Sequence, residues 1–254
     1  MKHAELLESV AIIARAAGDV ILQIYATDFK VRGKADASPV TEADERAEKA
    51  ILAGLLELTP EVPVVAEESV AAGRVPDLPA SSKRFWLVDP LDGTKEFINR
   101  NGEFTVNIAL IEGAHPVLGV VLAPALGRLF AGSDAGAYVE DSAGRRPIRC
   151  RPVPEAGLTV VASRSHGDAS SLDAFLAGRK VASMANAGSS LKLCLVAEGS
   201  ADLYPRLGRT MEWDIAAGHA VLLAAGGSVR TLTGDPLRYG KPGFDNPHFV
   251  AAGL

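Results

Sequence analysis

Trp86-Leu87-Val88-Asp89-Pro90-Leu91-Asp92-Gly93-Thr94-Lys95 is a short apolar run that ends in two carboxylates, a proline and a glycine. Phe85 to Val88 read as a buried strand bounded by a breaker. Pro90 has no N–H for a sheet ladder, so the strand is expected to stop at Asp89. Asp89 and Asp92 then share one tight turn with the Leu91 carbonyl between them, three hard oxygens able to converge on a cation such as Mg²⁺. Gly93 and Thr94 follow as the opening of a helix whose free N–H groups face an anion such as phosphate.

Working back from this turn, Val62 to Ala66 is a second short strand, and it delivers Glu67 and Glu68 at its end as the first delivers Asp89. Leu6, Val10, Ile13, Ala17, Val20 and Ile24 recur at spacings of three and four, which predicts an amphipathic helix. Lys30 to Pro39 has loop composition. Thr41 opens a second helix with Ala47, Ile51, Leu55 and Leu58 on its apolar face, and Thr41-x-x-Asp44 resembles a capping box with Asp at the third position.

Working forward, Phe104 to Ile111, Val117 to Ala123 and Arg128 to Ala131 are expected as strands of an antiparallel meander. A composition shift between Asp141 and Gly157, with Gly144, three prolines and four arginines, marks a boundary; residues 1–145 and 146–254 are taken as two halves. The second half alternates: strand Leu158 to Ala162, helices Ser171 to Ala177 and Ser190 to Ala197, strand Ala201 to Tyr204, helix Trp213 to Ala225, strand Ser228 to Thr231. The pattern is layered α and β, and the tail after Gly234 is turn-rich and uninformative.

The 254 residues are 48% hydrophobic and 22% charged, the composition of an ordinary soluble globular protein. A net charge of −5 argues against a general nucleic-acid binder and for a small partner. Cys150 and Cys194 form no metal-binding or disulfide pattern. The longest greasy region, Thr105 to Val121, is interrupted by Glu112, His115 and Pro116, short of the roughly 20 clean residues of a membrane span. The first residues do not read as a signal peptide. Cytoplasm is the expected location, with peripheral association at the inner membrane left open.

Glu67, Glu68, Asp89, Asp92 and Asp214 all stand at the ends of apolar segments. Converging carboxylates raise each other's pKa unless a cation neutralises them, and a divalent metal is the economical solution. Each acid alone also reads as a cap: Asp214 at a helix start, Asp44 and Thr94 likewise. Two acids flanking a proline have little capping use. The five histidines make no metal-binding pair, and no nucleophile elbow or phosphate-binding glycine loop is present.

Val40-Thr41-Glu42-Ala43-Asp44, Ala66-Glu67-Glu68-Ser69, the stretch from Trp86 to Thr94, and Trp213-Asp214-Ile215-Ala216-Ala217-Gly218 resemble, in order and spacing, the signatures of the inositol monophosphatase superfamily. Asp89 to Ile98, Ser163-Arg164-Ser165-His166 and Gly188-Ser189-Ser190-Leu191-Lys192 are similar to its CysQ-type branch, the bacterial 3′(2′),5′-bisphosphate nucleotidases. The resemblance implies an α+β fold, the layered α/β/α/β/α sandwich of the sugar phosphatases. It implies that Glu67, Asp89, the Leu91 carbonyl, Asp92 and Asp214 hold two or three Mg²⁺ ions. It also implies that Asp44, Glu68 and Thr94 position and deprotonate a water, and that the Gly93 and Thr94 amides hold the scissile phosphate. Gly188, Ser189, Ser190 and Lys192 are placed against ribose and phosphates, His166 near the base, and Asp214 at the substrate as well as at a metal.

Arg164, Lys192 and Arg206 are cations beside small or turn residues, suited to gripping a second phosphate, though each alone also reads as ordinary surface basicity. Tyr204 is expected in the core. One departure stands out: Glu212 precedes Trp213-Asp214 and either faces solvent or, facing the pocket, repels an anionic substrate. The expected function is Mg²⁺-dependent hydrolysis of adenosine 3′,5′-bisphosphate to AMP and phosphate, inhibited by lithium, with a small phosphorylated nucleotide as partner. The rivals are an inositol monophosphatase or a fructose-1,6-bisphosphatase with the same metal centre, and a non-catalytic nucleotide or metal sensor on the same fold.

Overall fold

A computed structural model of the chain describes residues 2–33, 39–78, 84–163 and 169–254. The first half contains α1 (His3–Tyr25), β1 (Val31–Gly33), β2 (Pro39–Thr41), α2 (Glu42–Leu58), β3 (Val64–Ala66), α3 (Glu67–Ala71), β4 (Arg84–Asp92) and α4 (Thr94–Ile98). The meander follows as β5 (Thr105–Glu112), β6 (His115–Ala123), β7 (Arg128–Ser133), β8 (Gly136–Asp141) and β9 (Gly144–Ile148). Then come β10 (Leu158–Ser163), α5 (Ala169–Leu176), β11 (Val181–Ala187), α6 (Leu191–Ala197), β12 (Leu203–Arg206), α7 (Glu212–Ala224), β13 (Ser228–Thr231) and β14 (Phe249–Ala252).

Among the described residues β3 to β9 form one seven-stranded sheet in sequence order, and β11-β10-β12-β14-β13 form a five-stranded sheet. The helices α1 and α2 pack against one face of the larger sheet, and α7 covers the other, with α6 between α7 and the smaller sheet. The helix α5 is the crossover between the parallel strands β10 and β11 and supplies the remaining helical layer.

Because the larger sheet is covered on both faces, β4 alternates between two cores. Phe85 and Leu87 join the core beneath α7, while Trp86 and Val88 join the core beneath α1 and α2. That double burial is why the strand reads as a continuous apolar run. The seat of α7 is a cross-strand glycine pair, Gly119 opposite Gly132. A Cβ at Gly119 would stand 2.3 Å from the Ala217 carbonyl oxygen, so only glycine lets the helix lie this close to the sheet.

Several expectations are corrected. The strand carrying Asp89 continues through Pro90 to Asp92, because the pairing with β5 jumps from Asp89↔Asn107 to Asp92↔Thr105. Pro90 and Leu91 sit in the bulge, where no ladder N–H is asked of the proline. The strand β8 follows the last strand read in the first half, and β9 lies within the stretch of shifted composition, where residues 145 and 146 both belong to it. The strand β11, built of Val-Ala-Ser-Met-Ala-Asn-Ala with its middle exposed, was not foreseen because it has no apolar alternation. The strand β14 lies in the turn-rich tail, for which the sequence gives no reading, and pairs with both β12 and β13. No helix among the described residues is long and apolar enough to cross a membrane.

Candidate active site

The parallel strands β3 and β4 pair Ala66 with Val88, so Glu67, just past the end of β3, and Asp89 of β4 come side by side. The first turn of α3 then presents Glu67 and Glu68. It is tied down by Glu48 of α2, whose carboxylate accepts from the Glu68 N–H at 2.7 Å and the Ser69 hydroxyl at 2.6 Å. Burial nevertheless pushes the Glu48 carboxyl up. Past the bulge, Asp89 Oδ1 accepts from the Leu91 N–H at 3.0 Å, which fixes the turn. Gly93, at φ 91°, turns the chain into α4 through a conformation that a side chain resists.

These elements and the second half close a cleft of about 250 Å³. Its wall brings together Glu67, Asp89, Leu91, Asp92, Gly93 and Thr94 from one side and Ser189, Ser190, Lys192, Arg206 and Asp214 from the other. Burial raises the Asp89 carboxyl well above the usual range, helped by the charges of Glu67, Asp92 and Asp214. Asp214 is likewise raised, by burial and then by Asp92 and Glu67. Asp92 is pushed up to about 6 by burial, against the pull of the Lys192 ammonium. Among the described residues no three of these groups are drawn into a closed ligand cage. The donor set is nonetheless one of hard oxygens, the carboxylates of Glu67, Asp89 and Asp92 with the Leu91 carbonyl on one side and Asp214 on the other, with no sulfur or imidazole among them. That chemistry fits Mg²⁺ and fits zinc or copper poorly.

Asp44 does what the capping box asks: its Oδ2 accepts from the Thr41 N–H and the Thr41 hydroxyl, both at 2.8 Å. Its other oxygen is 3.3 Å from Thr94 Oγ1, which also lies 3.4 Å from the Leu91 carbonyl oxygen. The cap therefore aims Asp44 at Thr94. Asp214 is a cap in the same sense, accepting from the Met211 N–H at 2.9 Å.

On the opposite side Lys192 is buried, with its ammonium on the Ser189 carbonyl at 2.5 Å and the Ala187 carbonyl at 3.3 Å. Burial lowers it to about 8, opposed by the charge of Asp92. It also lies 5.4 Å over the Tyr204 ring, which is buried and forms part of the cleft wall. The Ser190 hydroxyl donates to the Asn107 side-chain oxygen at 2.7 Å, and the Asn107 side-chain amide in turn donates to Asp92 at 3.4 Å, a link between the two sides. Ser189 has φ 45° and a buried hydroxyl without a hydrogen-bond partner. Arg206 donates to the Arg209 carbonyl at 2.9 Å.

Arg164 and His166 lie outside the described residues. Gly188, Glu68 and Asp44 are not on the cleft wall, Asp44 standing behind Thr94; the Gly188 N–H donates to Glu103 at 2.8 Å. Glu212 fits neither expected position: it is fully buried, off the cleft wall, and accepts from the Gly240 and Lys241 N–H groups at 2.7 and 2.9 Å. Its carboxylate turns toward the C-terminal tail, not toward solvent or substrate. Sequence reasoning missed Glu48, Asn107, Lys95 and Arg209, of which the last two line the cleft. Glu48 carried a signal, since an acid four residues after Asp44 stands on the buried face of α2.

A sequence model of the inositol monophosphatase family matches residues 3–251. The 3′(2′),5′-bisphosphate nucleotidase CysQ of Escherichia coli K12 is 48% identical over 247 residues, which cover 96% of this chain and 98% of that protein. The crystal structure of CysQ from Bacteroides thetaiotaomicron, a bacterial member of the inositol monophosphatase family, superposes with a TM-score of 0.83 at 38% identity. It covers 98% of this chain and 97% of the other. An inositol monophosphatase from Anabaena (Nostoc) sp. PCC 7120 has a TM-score of 0.76 at 24% identity over 98% of this chain and 90% of that one, a likeness of fold.

Proposed function

Because the chain belongs to the inositol monophosphatase family, we propose that it is a Mg²⁺-dependent 3′(2′),5′-bisphosphate nucleotidase that converts adenosine 3′,5′-bisphosphate to AMP and phosphate. The observation that carries this reading is the single cleft with an acid wall on one side and Lys192 and Arg206 on the other. The curated CysQ relatives bear that activity in their name, and the likeness spans nearly the whole of both chains.

Glu67, Asp89, the Leu91 carbonyl, Asp92 and Asp214 are the residues we assign to two or three Mg²⁺ ions. Bound there, the ions would neutralise the phosphoryl oxygens, activate water and stabilise the leaving oxygen. The chain's own part is positional. The Gly93 and Thr94 amides, at the start of α4, are assigned to the scissile phosphate. Thr94 Oγ1 accepts a proton from the attacking water and passes its own to Asp44 Oδ1, the oxygen that the Thr41 cap leaves directed at it. Glu68, beside Glu67 on the first turn of α3, is assigned to orienting the same water. Arg206 is assigned to the second phosphate together with Arg164, Ser189 and Ser190 to the ribose with Gly188 backing them from behind the wall, and His166 to the base. Lys192 contributes its charge from inside the wall.

Phosphate release from adenosine 3′,5′-bisphosphate tests the reading. Turnover that needs Mg²⁺ and is suppressed by lithium is expected; release that is indifferent to a chelator would overturn it.

A further inference from the structure

We infer that Glu212 is a positioning residue: through it the C-terminal tail clamps the start of α7 and so fixes where Asp214 presents its carboxylate to a divalent cation. The inference rests on the assignment of Asp214 as a metal ligand in the proposed function. It goes beyond that assignment by naming what holds the ligand in place.

The observation is a buried polar network centred on a carboxylate, Glu212, that does not line the cleft. Glu212 is fully buried, and a buried carboxylate is tolerated only when its lone pairs are met. Here every partner comes from the tail: the Gly240 N–H, the Lys241 N–H and the Lys241 ammonium. The same ammonium reaches the Asn246 side-chain oxygen at 3.2 Å. Asn246 then donates back to the Met211 carbonyl at 2.8 Å and, from its backbone, to the Thr210 carbonyl at 2.9 Å. Asp245 bridges Met211 in an antiparallel pair and holds Arg209 Nε at 2.8 Å.

Residues 209–212 are therefore gripped on both sides by 240–246. This gripped segment is what aims the site. The Met211 N–H is the donor to Asp214 Oδ2, and Arg209 and Thr210 are themselves on the cleft wall. One turn and more along α7, His219 bonds the Tyr239 hydroxyl at 2.8 Å, a second buried attachment of the tail to the same helix. A carboxylate fixed by a hydrogen-bonded neighbour binds metal more tightly than one free to rotate, and loss of such a partner weakens binding roughly 10- to 100-fold.

The experiment is calorimetric titration of Mg²⁺ into the full-length protein without substrate, alongside thermal unfolding, for the wild type, Glu212→Gln, Lys241→Met and Glu198→Ala. Glu198 pairs with Arg128 at 2.6 Å at the far end of α6, off the cleft wall, and serves as a control for simple loss of stability. We expect Mg²⁺ binding weakened roughly 10-fold or more in Glu212→Gln, and in the same direction but less in Lys241→Met, whose side chain is partly exposed and tolerates replacement. Glu198→Ala should lower the melting temperature and leave Mg²⁺ binding as in the wild type. If Glu212→Gln does not fold, Lys241→Met decides alone. Unchanged Mg²⁺ affinity in the folded clamp variants, with only a lowered melting temperature, overturns the clamp and leaves the proposed function standing. A wild type that binds no Mg²⁺ overturns both.

Discussion

The two walls of the cleft are built differently. The acid wall hangs on backbone: Glu67 and Asp89 follow the paired residues Ala66 and Val88, a bulge presents Leu91 and Asp92, and behind the wall a helix cap aims Asp44 at Thr94. The basic wall hangs on side chains. Lys192 is spent on carbonyls of its own loop, Arg206 leans on the Arg209 carbonyl, and Arg209 is held by Asp245 from the tail. Backbone placement gives fixed chemistry, whereas side-chain placement gives a surface that can be re-aimed by small changes. The acid wall should therefore govern turnover, and the basic wall the choice of substrate.

Substitutions can separate these roles. Asp92→Asn removes one charge from the wall assigned to the metal; with several kcal/mol of charge stabilisation at stake, kcat should fall by about 10³-fold on every phosphate ester. A variant that keeps wild-type kcat would break the comparison at once. Lys192→Ala deletes an ammonium that donates to two carbonyls and eases the burden on Asp92. Hydrogen bonds of this kind contribute about 1.5–3 kcal/mol, so kcat/KM should drop about tenfold or more for mono- and bisphosphates alike. A loss confined to the bisphosphate would move Lys192 from the wall into direct substrate contact. Arg206→Ala should raise KM for the bisphosphate about tenfold while monophosphates are handled as before, since only the former has a second anion to lose. Equal effects on both would remove Arg206 from substrate selection.

The smallest effect concerns the element that joins the walls. Burial drives the His219 imidazole on α7 down to about 3 from its ordinary 6.5. The folded protein therefore keeps it neutral where the unfolded chain takes up a proton. Its contribution to stability is whole above about pH 6.5 and is lost as the pH falls from there toward 3, amounting to about 2 kcal/mol by pH 5. His219→Gln should flatten the fall in melting temperature between pH 6.5 and 5. An unchanged slope would assign the acid sensitivity to another group.

The difference between the walls also explains what could be read in advance. Glu67 and Asp89 announce themselves because each follows a contiguous apolar strand, Asp92 because it shares the turn of Asp89, and Asp214 because it stands at the start of an apolar helix. The helices α1 and α2 follow from periodicity, whereas α7, buried on nearly every side, is read from its Asp214 start and its run of Ala, Gly and apolar residues. Strands β8 and β9 were hidden because they form an outer hairpin in which β9 is largely exposed, and β14 because its pairing partners are remote. The fate of Glu212 was unreadable for the same reason: its partners stand 28 and 29 residues away, and nothing local says whether a helix-start acid turns to solvent, substrate or tail.

The most direct test of the account is the ratio of kcat/KM for adenosine 3′,5′-bisphosphate to that for inositol monophosphate, measured on the wild type with Mg²⁺. The account predicts a ratio well above one, which falls toward one in Arg206→Ala while Asp92→Asn depresses both values together. A ratio at or below one in the wild type would contradict it.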